Sequence, residues 1–416
     1  MSIKRIRVTN FKSFEELEVE LDKFNVLIGA NASGKSNFVQ IFEFLRDIAN
    51  SGLNNAVSMQ GGVEYLRNIN IGANENFFLK VVSDLKFTLL GRSTKAGLIG
   101  VETYEAIYEF ALKFNKRGSG FKIAEDKLTQ KCKYVRLEKQ KGKIEKKEEL
   151  GLGGITVSRI NGNVKVDLHK PEQVPINKND IFPPFLIQQK LLPNTLLLQT
   201  PLFIPPLKEI FSGVSIYDFD PKLPKKATPI TGKVELEEDG SNLSIVLKNI
   251  TENKEMKRKL FNLVKDLLPF ISNLDVEKFA DKSLLFKLQE TYFENQYLPA
   301  SLISDGTINI TALIVALYFE KKPLTIIEEP ERNIHPYLIS KVVDMMKDAS
   351  QKKQIIVTTH NPEIVKYAGL DNLLLVSRDD KGFSTISRPA DKEEVKTFLE
   401  NEIGIEELYI QNLLGA

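Results

Sequence analysis

Charged and apolar residues alternate through Ile3-Lys4-Arg5-Ile6-Arg7-Val8, the pattern of a strand with one wet face. Residues 17–28 read as a second strand ending in the apolar run Phe24-Asn25-Val26-Leu27-Ile28. A glycine-rich turn follows. From Ser36 onward Phe38, Val39, Ile41, Phe42, Phe44, Leu45 and Ile48 recur at helical spacing, so the chain is predicted to open as strand, loop, helix. Residues 77–170 hold short β-like runs, such as 104–114 and 154–166, between Gly, Asn and Lys turns, and read as an inserted β-rich arm. Residues 170–230, with Pro183-Pro184 and Pro205-Pro206, give no clear element. Beyond them the pattern predicts a basic amphipathic helix over 253–268, an apolar helix over 306–318, a buried strand at 324–327, a helix near 337–349 and a second buried strand at 354–359. Strands alternating with helices imply a parallel sheet, and no heptad or internal repeat competes with that reading.

Composition narrows the setting. A chain of 416 residues, 42% hydrophobic, can bury a substantial core. Its 57 Lys+Arg against 55 Asp+Glu leave +2, which offers no global field for nucleic acid or an acidic membrane. The most charged stretch, Lys131 to Glu149, mixes both signs and reads as a solvated hairpin or helix. A single Cys132 forms no internal disulfide and suits a reducing cytosol. The N-terminus lacks the apolar core of a signal peptide, and no apolar run is long enough to span a bilayer, so a cytoplasmic chain without membrane contact is expected.

The candidate chemistry begins at Gly29-Ala30-Asn31-Ala32-Ser33-Gly34-Lys35-Ser36, which fits G-x-x-x-x-G-K-[ST] between a predicted strand and a predicted helix. Gly29 and Gly34 let the backbone curl so that N–H groups, together with the helix N-terminus, face a β-phosphate. Lys35 supplies a point charge to the β- and γ-phosphates, and the Ser36 hydroxyl is a Mg²⁺ ligand. Apolar residues 324–327 run into Glu328 and Glu329, at the strand end where an open α/β sheet places its ligand. Two carboxylates there are costly without a cation: Glu328 is the expected metal ligand and Glu329 the base that deprotonates the attacking water. One helix later, Val357-Thr358-Thr359 delivers His360 to the same edge, within reach of a γ-phosphate oxygen and that water. His169 and His335 are assigned nothing catalytic. Ser304, before the apolar helix, is an expected N-cap, with free N–H groups behind it at Asp305-Gly306-Thr307.

Taken together, 29–36, 304–307, 328–331 and His360 resemble the Walker A, signature, Walker B and switch-histidine set of ABC-type ATPase heads. The chain is similar to the branch containing SMC, RecF and OLD proteins, and most of all to stand-alone AAA family ATPases of prokaryotic defence loci. Asn10-Phe11-Lys12-Ser13-Phe14, Glu328-Glu329-Pro330-Glu331 with His335-Pro336, and Thr359-His360-Asn361-Pro362 carry that likeness. Residues 239–243 and the segment from Glu406 to Gly415 resemble features of the branch without an assignable chemistry. Glu328 stands where many ABC proteins have Asp, the signature reads Ser-Asp-Gly-Thr, and no glutamine is assigned to a Q-loop.

The resemblance implies an α/β fold: an ABC-type head with a mixed or parallel sheet flanked by helices, plus the β-rich arm and helical segments. The expected division is 1–90 and 301–416 for the two halves of the head, 91–190 for the arm and 191–300 for a mixed helical region. It implies ATP and Mg²⁺ as cofactors. Gly29, Asn31, Ser33, Gly34, Lys35, Ser36, Asn37 and Lys12 are expected on the nucleotide, with Ser304 and Gly306 reaching the nucleotide of a second copy. A carboxylate at Gly306 is then expected to act by repelling that γ-phosphate, without disturbing the fold. A homodimer or higher homo-oligomer follows, acting as sensor or scaffold of an antiviral system beside a separately encoded nuclease or toxin. The 56 residues after His360 are too few for the Toprim nuclease of OLD-type ATPases, so no nuclease activity is expected. A RecF-like or SMC-like DNA-binding ATPase is the alternative, and a transporter ATPase a remoter one.

Overall fold

The computed structural model describes residues 1–93, 97–118, 120–140, 143–202, 205–279, 282–293, 296–401 and 403–415; of the charged stretch, Lys141 and Gly142 lie outside the described residues. The chain divides into two units, and both are assembled from separate stretches of sequence. The first comprises Met1–Asp22, Ser36–Val214 and Ser377–Ile386, the second Lys23–Lys35, Ser215–Val376 and Ser387–Ala416.

In the first unit seven strands form one antiparallel sheet in the order Phe14–Glu20, Ser2–Phe11, Phe77–Ser93, Gly97–Phe114, Phe121–Gln140, Lys143–Ile160, Asn163–His169. The run 17–28, expected as one strand, is two. Phe14–Glu20 returns antiparallel along Ser2–Phe11, whereas Phe24–Ile28 belongs to the other unit, because Asp22-Lys23 breaks the alternation with two charges and lets the chain leave the sheet. The β-rich segment pairs directly with the first strand, Val8 opposite Leu79. Helix Lys35–Ser51 lays Phe38, Phe42, Phe44, Leu45 and Ile48 inward. Phe44 meets Phe77 edge-on at 5.7 Å between ring centres, and Phe77 meets Phe110 at 5.6 Å, an aromatic core of favourable geometry. Asp126 is buried here, accepting from the Tyr108 hydroxyl at 3.1 Å and from the Leu197 N–H at 2.7 Å, and burial pushes its carboxyl up to about 7.

The second unit is built on a sheet whose strands run Leu373–Arg378, Phe24–Ile28, Gln354–Thr358, Leu324–Glu328, Val214–Tyr217. Phe24–Ile28 and Gln354–Thr358 are buried along their whole length, as strands covered on both faces must be. Helices Asp305–Tyr318, Pro336–Ser350 and Pro362–Ala368 contribute their apolar faces to the same core. The buried Lys353 ammonium donates to the carbonyls of Ala316 and Glu320 at the end of the first of these helices, 2.9 and 2.8 Å away. Ile271–Phe279, Ser283–Glu290 and two short strands make a smaller antiparallel sheet. No helix among the described residues is long and apolar enough to cross a membrane.

Candidate active site

Parallel pairing sets the site's geometry. Leu27 lies opposite Thr358, and Thr358 opposite Glu328, so three strands end together and release Gly29, Glu329 and Thr359-His360 at one edge of the sheet. Gly29 has a φ of 149°, and a Cβ there would stand 2.2 Å from the Val376 carbonyl oxygen, so glycine is required for the neighbouring strand to pass. Gly34 (φ 120°) and Ala32 (φ 60°) complete the curl. Lys35 Nζ donates to the carbonyls of Gly29 and Ala30, at 2.7 and 3.1 Å, closing the loop on itself. Desolvation lowers the Lys35 pKa, against the opposing pull of Glu329 and Glu328. Asn31 is exposed and Ser33 buried within the loop.

Glu329 occupies a left-handed backbone position (φ 44°), anchored by its N–H to the Thr358 carbonyl at 2.8 Å. Its carboxylate is gripped twice. Oε2 accepts from Arg332 at 3.0 Å, and Oε1 lies 2.9 Å from His360 Nδ1. Burial alone would raise its pKa, but the Arg332 hydrogen bond and the nearby His360 and Arg332 charges bring it below the ordinary carboxylate range. Arg332 is itself held by Asp218 at 2.8 Å and by the Phe219 carbonyl. Glu331 turns inward, 7% exposed, and accepts from Thr359 Oγ1; burial pushes its carboxyl up.

The signature segment behaves as a capped helix and more. Ser304 Oγ accepts from the Thr307 N–H at 3.2 Å, and Asp305 pairs with Lys225 at 2.5 Å. Asn309, buried one turn on, donates to the Arg332 carbonyl at 2.6 Å, and Gly306 packs on the backbone of Asn333. The Gly306 expectation needs correcting. An added Cβ would come within 2.5 Å of the Asn333 carbonyl oxygen, so any side chain at 306 disturbs the turn after Glu329.

Other expected nucleotide contacts fall in the first unit: Ser36 and Asn37 in helix Lys35–Ser51, and Lys12 in the turn between the first two strands. Asn37 Nδ2 donates to Ser13 Oγ at 2.7 Å, so its amide braces that turn. Lys12 has a pKa lowered by burial, with Glu43 opposing, and its ammonium stands 5.8 Å from the centre of the Phe11 ring. Sequence reasoning quoted Glu331 in its motif without giving it a role, and missed Arg332, Asn309 and Tyr409. Burial raises the pKa of the Tyr409 hydroxyl, on helix Ile405–Ile410, and the Glu331 charge adds to that rise.

For an incoming nucleotide the fit is good. A cradle that only glycine allows at Gly29, one ammonium, and hard carboxylate and hydroxyl donors match polyphosphate and Mg²⁺ chemistry. Residues 1–159 match the family model described as "AAA ATPase domain", and residues 196–366 the one described as "AAA domain, putative AbiEii toxin, Type IV TA system". No curated protein matches the chain. Among solved structures it is similar to an Smc head bound to the C-winged helix domain of ScpA (15% identity, 93% of this chain and 97% of that chain, TM-score 0.49). It is also similar to the SMC head domain from Thermotoga maritima (12%, 93% and 99%, TM-score 0.43). A third is an Smc head with an extended coiled coil bound to the C-terminal domain of ScpA, derived from Pyrococcus furiosus (17%, 96% and 98%, TM-score 0.46). At these identities and TM-scores they are likenesses only. With the P-loop under one family model and the signature, the paired glutamates and His360 under the other, the two models together span most of the chain, which belongs to the AAA ATPases they describe.

Proposed function

We propose that two copies of the chain close head to tail on ATP, hydrolyse it, and use the change of state to control a separately encoded effector. The contact that carries the hydrolytic part is Glu329 Oε1 to His360 Nδ1, 2.9 Å, at the sheet edge where the P-loop strand ends. Glu329, ionised because Arg332 and His360 outweigh its burial, takes the proton of the attacking water. His360 orients that carboxylate and the γ-phosphate. Lys35 leaves its own loop's carbonyls for the phosphates. Ser36 and Glu328 are the residues that would hold Mg²⁺, which supplies charge neutralisation to the transferring phosphoryl group. The Ser304 cap and the N–H groups beside Gly306 meet the nucleotide of the other copy.

The part of the reading that involves a second component draws on the description of the model matching residues 196–366, "AAA domain, putative AbiEii toxin, Type IV TA system"; the antiviral role rests on the resemblance alone. The test is purification alone and with the neighbouring gene product. Steady ATPase, ATP-dependent dimerisation, no DNA cleavage and a complex whose stability differs between wild type and Glu329→Gln support the reading. DNA cleavage by the lone chain, or no complex in either state, overturns it.

The DNA-binding alternative has one observation in its favour. Helix Lys254–Leu267 exposes Lys254, Arg258, Lys259 and Lys265 against Glu255 and Asp266. ATP-dependent, salt-sensitive DNA binding that is lost on reversing Lys254, Arg258 and Lys265 establishes it.

A further inference from the structure

The turn after strand Leu324–Glu328 carries Glu329, and the turn after Gln354–Thr358 carries His360. One contact between these turns has no part in the chemistry proposed above: Thr359 Oγ1 donates to Glu331 Oε1 at 2.5 Å. We propose that Glu331 is a positioning residue, whose carboxyl locks Thr359 and thereby fixes the turn that presents His360 to Glu329. The inference rests on the ATPase reading of this site.

Several observations point this way. Glu331 is 7% exposed, and its Oε2 has no hydrogen-bond partner among the described residues. A carboxyl so placed costs stability, which an apolar side chain would not. What it gains is geometry. Thr359 has one hydroxyl hydrogen, given to Glu331, while the same oxygen accepts the Asn361 N–H at 2.9 Å. Threonine is stiff at χ1, so two bonds at one oxygen hold both side chain and turn. Asn361 in turn caps helix Pro362–Ala368, accepting from the Glu363 N–H at 2.8 Å. His360 therefore stands between two fastened residues although its own ring is half exposed. Loss of the Glu331 anchor frees the turn on one side, and an error of about 1 Å in a catalytic group can cost on the order of 100-fold in rate.

The full chain is tested as four variants. Glu331→Leu and Thr359→Val remove the bond; Glu331→Gln and Thr359→Ser retain an acceptor and a hydroxyl. The first pair is expected to lower kcat by on the order of 10-fold or more, with ATP Kd and KM within about twofold, and the second pair to stay near wild type. In a His360→Ala background Glu331→Leu should cost little more, because it acts through the histidine. Selective ¹³C labelling of the three histidines gives a readout independent of turnover. The His360 resonance should shift or broaden in Glu331→Leu and Thr359→Val, while His169 and His335 stay unchanged. If Glu331→Leu does not fold, Thr359→Val decides. Unchanged kcat and an unmoved His360 resonance in a folded variant overturn the inference, as does an undiminished loss in the His360→Ala background. A wild type that hydrolyses no ATP defeats the ATPase reading instead, and the histidine spectra still decide the positioning.

Discussion

A β-carbon on Gly306 would stand 2.5 Å from the carbonyl oxygen of Asn333, in the turn that also carries Glu329 and Arg332. The N-terminal tip of helix Asp305–Tyr318 and the turn that carries Glu329 thus pack backbone to backbone, reinforced by Asn309 on the Arg332 carbonyl. Gly306→Ala, which adds no charge, is expected to lower kcat by about 10-fold or more and the melting temperature with it, since overpacking of this kind costs about 1–3 kcal/mol. Gly306→Asp adds repulsion to that strain. ATPase rates and thermal melts of the two variants check this; wild-type behaviour of the alanine variant means the contact relaxes at no cost.

Lys35→Ala should weaken ATP binding, because the phosphates lose their main cation. Glu329→Gln should keep binding and slow turnover by on the order of 100-fold or more. Nucleotide titration beside steady-state ATPase separates them, and full turnover in Glu329→Gln removes that residue from the base role.

On the proposed mechanism, Arg332 extends the pH range in which Glu329 can serve as a base. The guanidinium bond helps hold the Glu329 carboxyl below its ordinary value, so the base stays ionised further into acid. Arg332→Gln should move the acidic limb of the kcat/KM profile to higher pH, with the alkaline limb in place. An acidic limb that does not move shows that His360 alone sets it.

Asp126 couples the first unit to pH. Burial lifts its folded pKa to about 7, above the ordinary 3.8 of an aspartate, so the protonated carboxyl is what the fold prefers. Its contribution is fully present below the unfolded pKa and is lost as pH rises from about 4 through 7. The wild type should melt lower at pH 8 than at pH 5, and Asp126→Asn should flatten that slope, each kcal/mol being worth about 2–4 °C for a unit of this size. A slope unchanged by the substitution sinks the assignment.

Local patterns exposed much of this site and little of what braces it. The loop from Gly29 to Ser36, the acids after residues 324–327 and the histidine after 354–358 announce themselves because each is an apolar run ending in a reactive group. Ser304 was legible as a cap for the same local reason, and the structure gives it that bond. Arg332 finds Asp218 across 114 positions, and Asn309 finds the Arg332 carbonyl across 23; no periodicity records such pairings. The strand 17–28 misled because two short strands of different sheets, read end to end, imitate one long alternation. Gly306 looked like a surface residue for want of any local sign that Asn333 lies against it.

Strand Phe24–Ile28 finds its sheet neighbours only at residues 354–358 and 373–375. A growing chain makes the P-loop long before the strands on either side of it. At about 5–20 residues per second, roughly 15–65 s of synthesis separate the two. Throughout that time the five buried residues of the strand have no partner and are exposed to chaperones and to aggregation. The first unit's hairpins close over short distances and can fold while this strand waits. The loop that follows this strand therefore gains its full sheet support only once residues 354–358 and 373–375 have been made.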